Sequence, residues 1–140
     1  MEITWHGHSC VRINSRDVFL VADPYDVSGG EFLTPQKADI VTTSNSDPKH
    51  SHTAALTGNP RIIEGPGEYE VSHFYIKGTA TPIDHADTPG SPINTIYTIR
   101  VESLIVAHLG GLTQRLTTSQ MDSLRQTQVL IAPISGPKSI

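Results

Sequence analysis

Apolar residues along this chain fall in short runs rich in β-branched and aromatic side chains, separated by Gly, Pro, Asn and Asp. Alternation with a period of two puts one face of a strand into a core. The pattern predicts strands near 2–5, 9–14, 17–22, 39–43, 61–64, 68–71, 73–79, 94–101, 103–108 and 128–132. Asn14-Ser15-Arg16-Asp17 joins the second and third runs as a hairpin connection, and Val101-Glu102-Ser103 joins a later pair. Two segments carry a helical pattern. One is 50–57, containing Thr53-Ala54-Ala55-Leu56 and closed by Gly58. The other is 117–126, where Thr117-Thr118-Ser119-Gln120 offers hydroxyl caps and Leu116, Met121 and Leu124 fall near one face. Strands, a helix after a buried strand, further strands and a last helix–strand step predict a layered, strand-rich α/β fold and exclude a helical bundle. Long polar connections at 24–38 and 79–93 are places where binding residues concentrate.

With 140 residues, the chain has room for a single domain spanning 1–140. Its apolar runs, such as Val18 to Ala22 and Leu104 to Ala107, are far shorter than the ~20 residues of a membrane span. The first residues lack a basic segment followed by an apolar stretch, so no secretory signal is expected and the chain reads as cytoplasmic. Cys10 is the only cysteine, which excludes an internal disulfide and fits a small buried hydrophobe in a strand. The net charge is −4 and the ten Lys and Arg residues are scattered, so an electrostatic nucleic-acid face is not expected. Seven histidines without matching cysteines direct attention to a metal site.

Three segments carry candidate chemistry. Trp5-His6-Gly7-His8-Ser9-Cys10 is a turn with two imidazoles. Val18-Phe19-Leu20-Val21-Ala22-Asp23-Pro24 is a buried strand that delivers a carboxylate at its end, where α/β sites are commonly built. Ala38-Asp39-Ile40-Val41 runs into Thr42-Thr43-Ser44-Asn45-Ser46-Asp47-Pro48-Lys49-His50-Ser51-His52. These segments, with Gly65-Pro66-Gly67-Glu68-Tyr69-Glu70-Val71, Asn94-Thr95-Ile96-Tyr97 and Ala107-His108-Leu109-Gly110, resemble the metallo-β-lactamase-like superfamily over nearly the whole chain. Within it, the chain is most similar to small Zn-dependent hydrolases of bacteria and archaea related to ascorbate-6-phosphate lactonase.

The resemblance implies an αββα sandwich and a specific ligand set. In the family, the loop after the Ala38-Asp39-Ile40-Val41 strand reads His-x-His-x-Asp-His and helps to hold two Zn²⁺ ions with a hydroxide between them. Laid onto this chain, the first His falls on Asn45, the second on Asp47 and the Asp on Lys49, and only the last matches, as His50. A later Gly-x-x-x-x-His-Asp loop puts Ile83 at a ligand position and Asp84 after it, with His85 displaced by two residues. The bridging Asp of His-Leu-Gly-Asp falls on Gly111. Lys49 places a cation where the family has a carboxylate, which costs several kcal/mol beside Zn²⁺ even at an effective dielectric of roughly 20. The lysine is therefore expected to occupy the second metal position, paired with Asp47 or Asp23. His8 and His108 correspond to histidines near the family site that are not principal ligands. His6 and His73 read as surface or cross-strand packing residues.

Three classes of function follow. The first is a non-catalytic hydrolase relative with a binding or structural role and no metal. It leaves a residual site of His8, Asp23, Asn45, Lys49, Asp84 and His108, in which no general base has an evident partner. The second is a hydrolase with at most one Zn²⁺, held by Asp47, His50 and His85. The third is an interaction subunit. Relatives continue with a further helix, a strand and a final histidine ligand, so the C-terminal third of the fold is expected to be absent. The strand at 128–132 should then be left uncovered, and a homo-oligomer is expected through Val129, Leu130, Ile131 and Ile134.

Overall fold

A computed structural model of the chain describes residues 1–27, 31–32, 34–82 and 92–134. In chain order the first half contains β1 (Glu2–Trp5), β2 (Val11–Ser15), β3 (Val18–Ala22), β4 (Asp26–Val27), β5 (Glu31–Phe32), β6 (Gln36–Lys37) and β7 (Ile40–Thr43). Then come helix α1 (Pro48–Ser51), a 3₁₀ turn at Thr53–Ala55, β8 (Leu56–Thr57) and β9 (Arg61–Glu64). The second half holds β10 (Gly67–Val71), β11 (Phe74–Pro82), β12 (Ile93–Val101), β13 (Leu104–His108), helix α2 (Thr118–Asp122) and β14 (Val129–Ile131). No helix among the described residues is long and apolar enough to cross a membrane.

Two five-stranded sheets carry the fold, ordered β1-β2-β3-β7-β9 and β10-β11-β12-β13-β14. In the first sheet the β1-β2-β3 meander is antiparallel and β3, β7 and β9 are parallel. In the second all neighbours are antiparallel except β14, which runs parallel to β13. Strand periodicity decides which side chains meet. Leu20, Ala22, Ile40 and Ile63 of the first sheet join Phe74, Ile76, Tyr97 and Ile99 of the second in one buried cluster. Each large apolar side chain there contributes about 1.5–3 kcal/mol through burial. Residues one step out of phase turn to the outer faces. Val21 and Val41 pack with Cys10, Tyr25 and Ala38, and Ile96 packs with Leu109 and Leu112. The result is the expected layered, strand-rich sandwich with thin outer layers.

The hairpin connections form as expected: Arg16 and Asp17 have φ of 49° and 61°, and Glu102 and Ser103 have 50° and 67°. Positive φ at both central residues is the turn geometry whose twist matches paired strands. Both expected helices are shorter than predicted. Asp47 caps α1 and Pro48 opens it, but it ends at Ser51. The predicted continuation is instead the 3₁₀ turn and β8, because Leu56 and Thr57 pair with Gln36 and Lys37. Interstrand pairing overrides the local helical preference. The second helix begins as predicted, with Thr117 and Gln120 forming a reciprocal capping box. It ends at Asp122, and Met121 is exposed, whereas Leu116 and Leu124 pack on the outer cluster. The 24–38 connection contains β4, β5 and β6, and the 79–93 connection is shortened because β11 runs on to Pro82.

Val129 and Ile131 pack against the chain's own core. Both stay partly buried there, because alternation turns them inward and leaves Leu130 facing out, 59% exposed. Ile134 is also exposed.

Candidate functional site

The ends of β3, β7 and β13 meet at one edge of the sandwich. β3 delivers Asp23, whose backbone N–H donates to the Thr42 carbonyl at 2.9 Å and whose φ is 49°. Its carboxylate is fully buried. Oδ1 accepts from the Ser44 N–H at 2.8 Å, and Oδ2 accepts from Ser44 Oγ at 2.6 Å and Ser9 Oγ at 3.2 Å. His50 Nδ1 lies 2.7 Å from the same Oδ2 and 2.9 Å from Ser9 Oγ. Burial pushes the Asp23 carboxyl upward, but the nearby His108 charge, the His50 hydrogen bond and charge, and the Ser44 hydrogen bond outweigh it and hold it below 3.8.

His50 is thus an oriented imidazole. The carboxylate holds the proton on Nδ1, so in the neutral ring Nε2 is left as an acceptor. No general base was expected to have such a partner, and Asp23 corrects that. Ser9, Asp23 and His50 do not form a nucleophilic triad, because Ser9 and Asp23 share one ring nitrogen. His50 Nε2 faces Gly111: a Cβ there would stand 3.2 Å from it and 3.0 Å from Asn45 Nδ2. Asn45, His50 and Gly111 therefore converge, as the resemblance implies.

Sequence reasoning missed the residues that hold this convergence. Buried Asn94 donates to the Leu109 carbonyl at 2.9 Å and to Thr81 Oγ1 at 3.1 Å, and its Oδ1 accepts from the Gly111 N–H at 2.9 Å. Gly110 has φ of 60° and lies so close to Ser44 and Asn94 that a side chain there would overlap them. Asn94-Thr95-Ile96-Tyr97 stood out in the sequence as a motif, but nothing local indicated which loop Asn94 would brace.

The other predicted residues are distributed differently. His108 is buried in the site region, with Nε2 donating to the Ser9 carbonyl at 2.6 Å and Nδ1 buried without a hydrogen-bond partner among the described residues. His8 is exposed and lies edge-on to Tyr25, ring centroids 4.6 Å apart. Asp47 is exposed and its carboxylate accepts from the Lys49 N–H at 2.9 Å as the α1 cap. Lys49 is exposed too, and the side chain within 2.7 Å of the Asp23 carboxylate is His50, whereas the expectation had Lys49 paired with Asp47 or Asp23. Charge complementarity with a buried carboxylate favours the shorter imidazole already held by the first turn of α1. His6 is half-buried, with its pKa lowered by burial and by Arg12, and His73 Nε2 lies 2.9 Å from Ser15 Oγ at the opposite end of the sandwich. Ile83, Asp84 and His85 lie outside the described residues.

A two-metal centre of the kind the fold houses needs several imidazoles and a bridging carboxylate. The described donors do not fit it. Asn45 offers an amide, Gly111 offers no side chain, Asp23 is saturated by hydrogen bonds, and one nitrogen of His50 is committed to Asp23. Among the described residues no group of three or more His, Cys, Asp or Glu is placed to hold a metal ion.

Comparison with known proteins agrees with this architecture. The family model of the beta-lactamase superfamily domain matches residues 2–140. A protein from Thermotoga maritima, assigned to the Zn-dependent hydrolases of the metallo-beta-lactamase superfamily, is 32% identical with a TM-score of 0.80, over 99% of this chain and 63% of that one. This chain thus spans less than two thirds of that relative's length. A protein assigned as a metal-dependent hydrolase from Parabacteroides distasonis (14% identity, TM-score 0.71, 99% of this chain and 71% of that one) shares the fold. So does Igni18, a metallo hydrolase from the archaeon Ignicoccus hospitalis (16% identity, TM-score 0.67, 98% of this chain and 72% of that one). Among curated proteins none matches the chain. The sandwich, the convergence of Asn45, His50 and Gly111 at its edge, and a family match across residues 2–140 together place this chain in the beta-lactamase superfamily domain family.

Proposed function

We propose that this chain is a non-catalytic relative of the metallohydrolases, a binding or structural module whose site is held together by the Asp23–His50 pair in place of metal. The observation that carries this reading is the commitment of donors: Asp23 accepts from Ser44, Ser9 and His50, while Gly111, at the position of the bridging carboxylate, has no side chain and is crowded by Asn45 and His50. Without a metal to bring the pKa of bound water to about 7, the nucleophile of the fold's chemistry is lacking. Calorimetric titration of Zn²⁺ into chelator-stripped chain, with assays on lactones, phosphodiesters and β-lactams, tests it. The expected result is no stoichiometric Zn²⁺ binding and no turnover. Two tightly held Zn²⁺ per chain, or chelator-sensitive turnover, would overturn it.

Two further readings remain. One Zn²⁺ held by Asp47, His50 and His85 would use His50 Nε2, the ring nitrogen not committed to Asp23, and in that case His50→Ala abolishes binding. A homo-oligomer through β14 is supported by its free strand edge among the described residues and by exposed Leu130 and Ile134.

A further inference from the structure

The C-terminal ends of the parallel strands β7 and β9 border a cleft of about 460 Å³, the position at which open α/β sheets commonly receive ligands. Thr43 and Glu64 are register partners at those ends, so their side chains stand next to each other on one face of the sheet. Tyr97 fixes this wall, because its hydroxyl holds both the Thr43 carbonyl and the N–H of Gly65, the residue after Glu64. Both side chains are left unsatisfied. Thr43 is only 4% exposed, yet its hydroxyl makes no hydrogen bond among the described residues. Glu64 is exposed, and among the described residues its carboxylate has neither an ion pair nor a hydrogen bond.

The rest of the wall has few protons to give. Ser44 Oγ donates to Asp23 and Ser51 Oγ donates to the Asp47 carbonyl, so each presents lone pairs to the cleft. Asn45 Nδ2 is turned toward Ser44 Oγ and Asn94 Oδ1. Among the described residues no Lys, Arg or His lines the cleft. Acceptors gathered around one uncompensated carboxylate call for a ligand that brings positive charge and several N–H groups, which a primary ammonium does and an alcohol or an anion does not. Pro92 and Ile93, the latter 44% exposed, add apolar surface for an aliphatic stem.

We infer that this cleft binds a small organic primary ammonium, its charged head between Glu64 and Thr43 and its aliphatic stem along Pro92 and Ile93. The inference rests on the reading of the chain as a binding module and names a ligand class for it. It is tested on the full chain, stripped with chelator, by following backbone ¹H–¹⁵N resonances at pH 7 and constant ionic strength during titration with butylamine, with 1-butanol and butyrate as neutral and anionic counterparts. Butylamine should shift the Thr43, Glu64 and Ile93 amides saturably, and both counterparts should bind about tenfold more weakly. Glu64→Gln should weaken butylamine binding about tenfold and Thr43→Val about threefold, whereas Glu68→Gln, which removes an exposed charge outside the cleft, should leave it unchanged. No saturable shift, equal binding of butanol or butyrate, parent-like affinity in folded Glu64→Gln chain, or an equal loss in Glu68→Gln would overturn the assignment. A tight Zn²⁺ site in the separate metal titration would instead overturn the metal-free reading alone, since Thr43 and Glu64 are not ligand positions of the family pattern.

Discussion

Asp23 is the residue on which the site depends. A carboxylate removed from water is tolerated only when its lone pairs are filled and its charge is matched, and Ser44, Ser9 and His50 do both. Because its folded pKa lies below the ordinary value, it stabilises the fold above that value, and the contribution disappears as pH falls from about 3.8 through the folded pKa. Asp23→Asn should lose about 3–5 kcal/mol at neutral pH in chemical denaturation. It should also lack this component of the acid dependence, and a variant as stable as the parent at pH 7 would show that the pair is not structural. Cys10 gives a second test at this scale. Burial first, and then the charge of Asp23, push its thiol up to about 12, so it is a packing residue, as the sequence suggested. Iodoacetamide at pH 8 should leave it unmodified in the folded chain and label it in denaturant, as mass spectrometry will read.

Between elements, Tyr97 is the tie. Its side chain projects from β12 into the core, and its hydroxyl donates to the Thr43 carbonyl at the end of β7 and accepts from the Gly65 N–H, both at 2.9 Å. One side chain therefore joins the second sheet to the strand that leads into the site. Tyr97→Phe keeps the ring and removes the partner of the buried Thr43 carbonyl and of the half-buried Gly65 N–H, for an expected loss of about 1–3 kcal/mol in urea unfolding. If the cost is near zero, the hydroxyl does not brace the end of β7. The Gly110 turn illustrates the same dependence on close approach. Ser44 and Asn94 occupy the space around it, and its φ is positive, so Gly110→Ala should be strongly destabilising, by ~3 kcal/mol or more.

At the scale of the whole molecule, charge and packing are polarised. The site occupies one end of the sandwich, while the other holds a separate cluster in which Ser15 Oγ donates to Glu102 at 2.6 Å and the Met1 amine lies 3.2 Å from the same carboxylate. One lateral edge is β14, with Leu130 outward. For the oligomer reading, sedimentation at micromolar concentration should show a dimer that Leu130→Lys converts to monomer. A parent chain that remains monomeric at all concentrations would remove that reading.

What the sequence determined by itself was local and periodic. Composition and alternation placed the strands of both sheets, turn chemistry placed both tight hairpins, and Thr117 marked where the second helix begins. Family-like motifs laid Asn45, His50 and Gly111 on positions of the family's ligand pattern, and the structure brings these three side by side. Tertiary structure decided the rest, because it depended on which distant groups compensate one another. Leu56 and Thr57 left the predicted helix for a strand partner twenty residues upstream. Asp23 took His50 and not Lys49, since a buried carboxylate is satisfied by whichever donors the packed strand ends bring within about 3 Å. Asn94 became the brace of the Gly110–Gly111 turn for the same reason. Hydrogen-bond satisfaction in a buried site belongs to three-dimensional neighbours, and sequence spacing does not encode it.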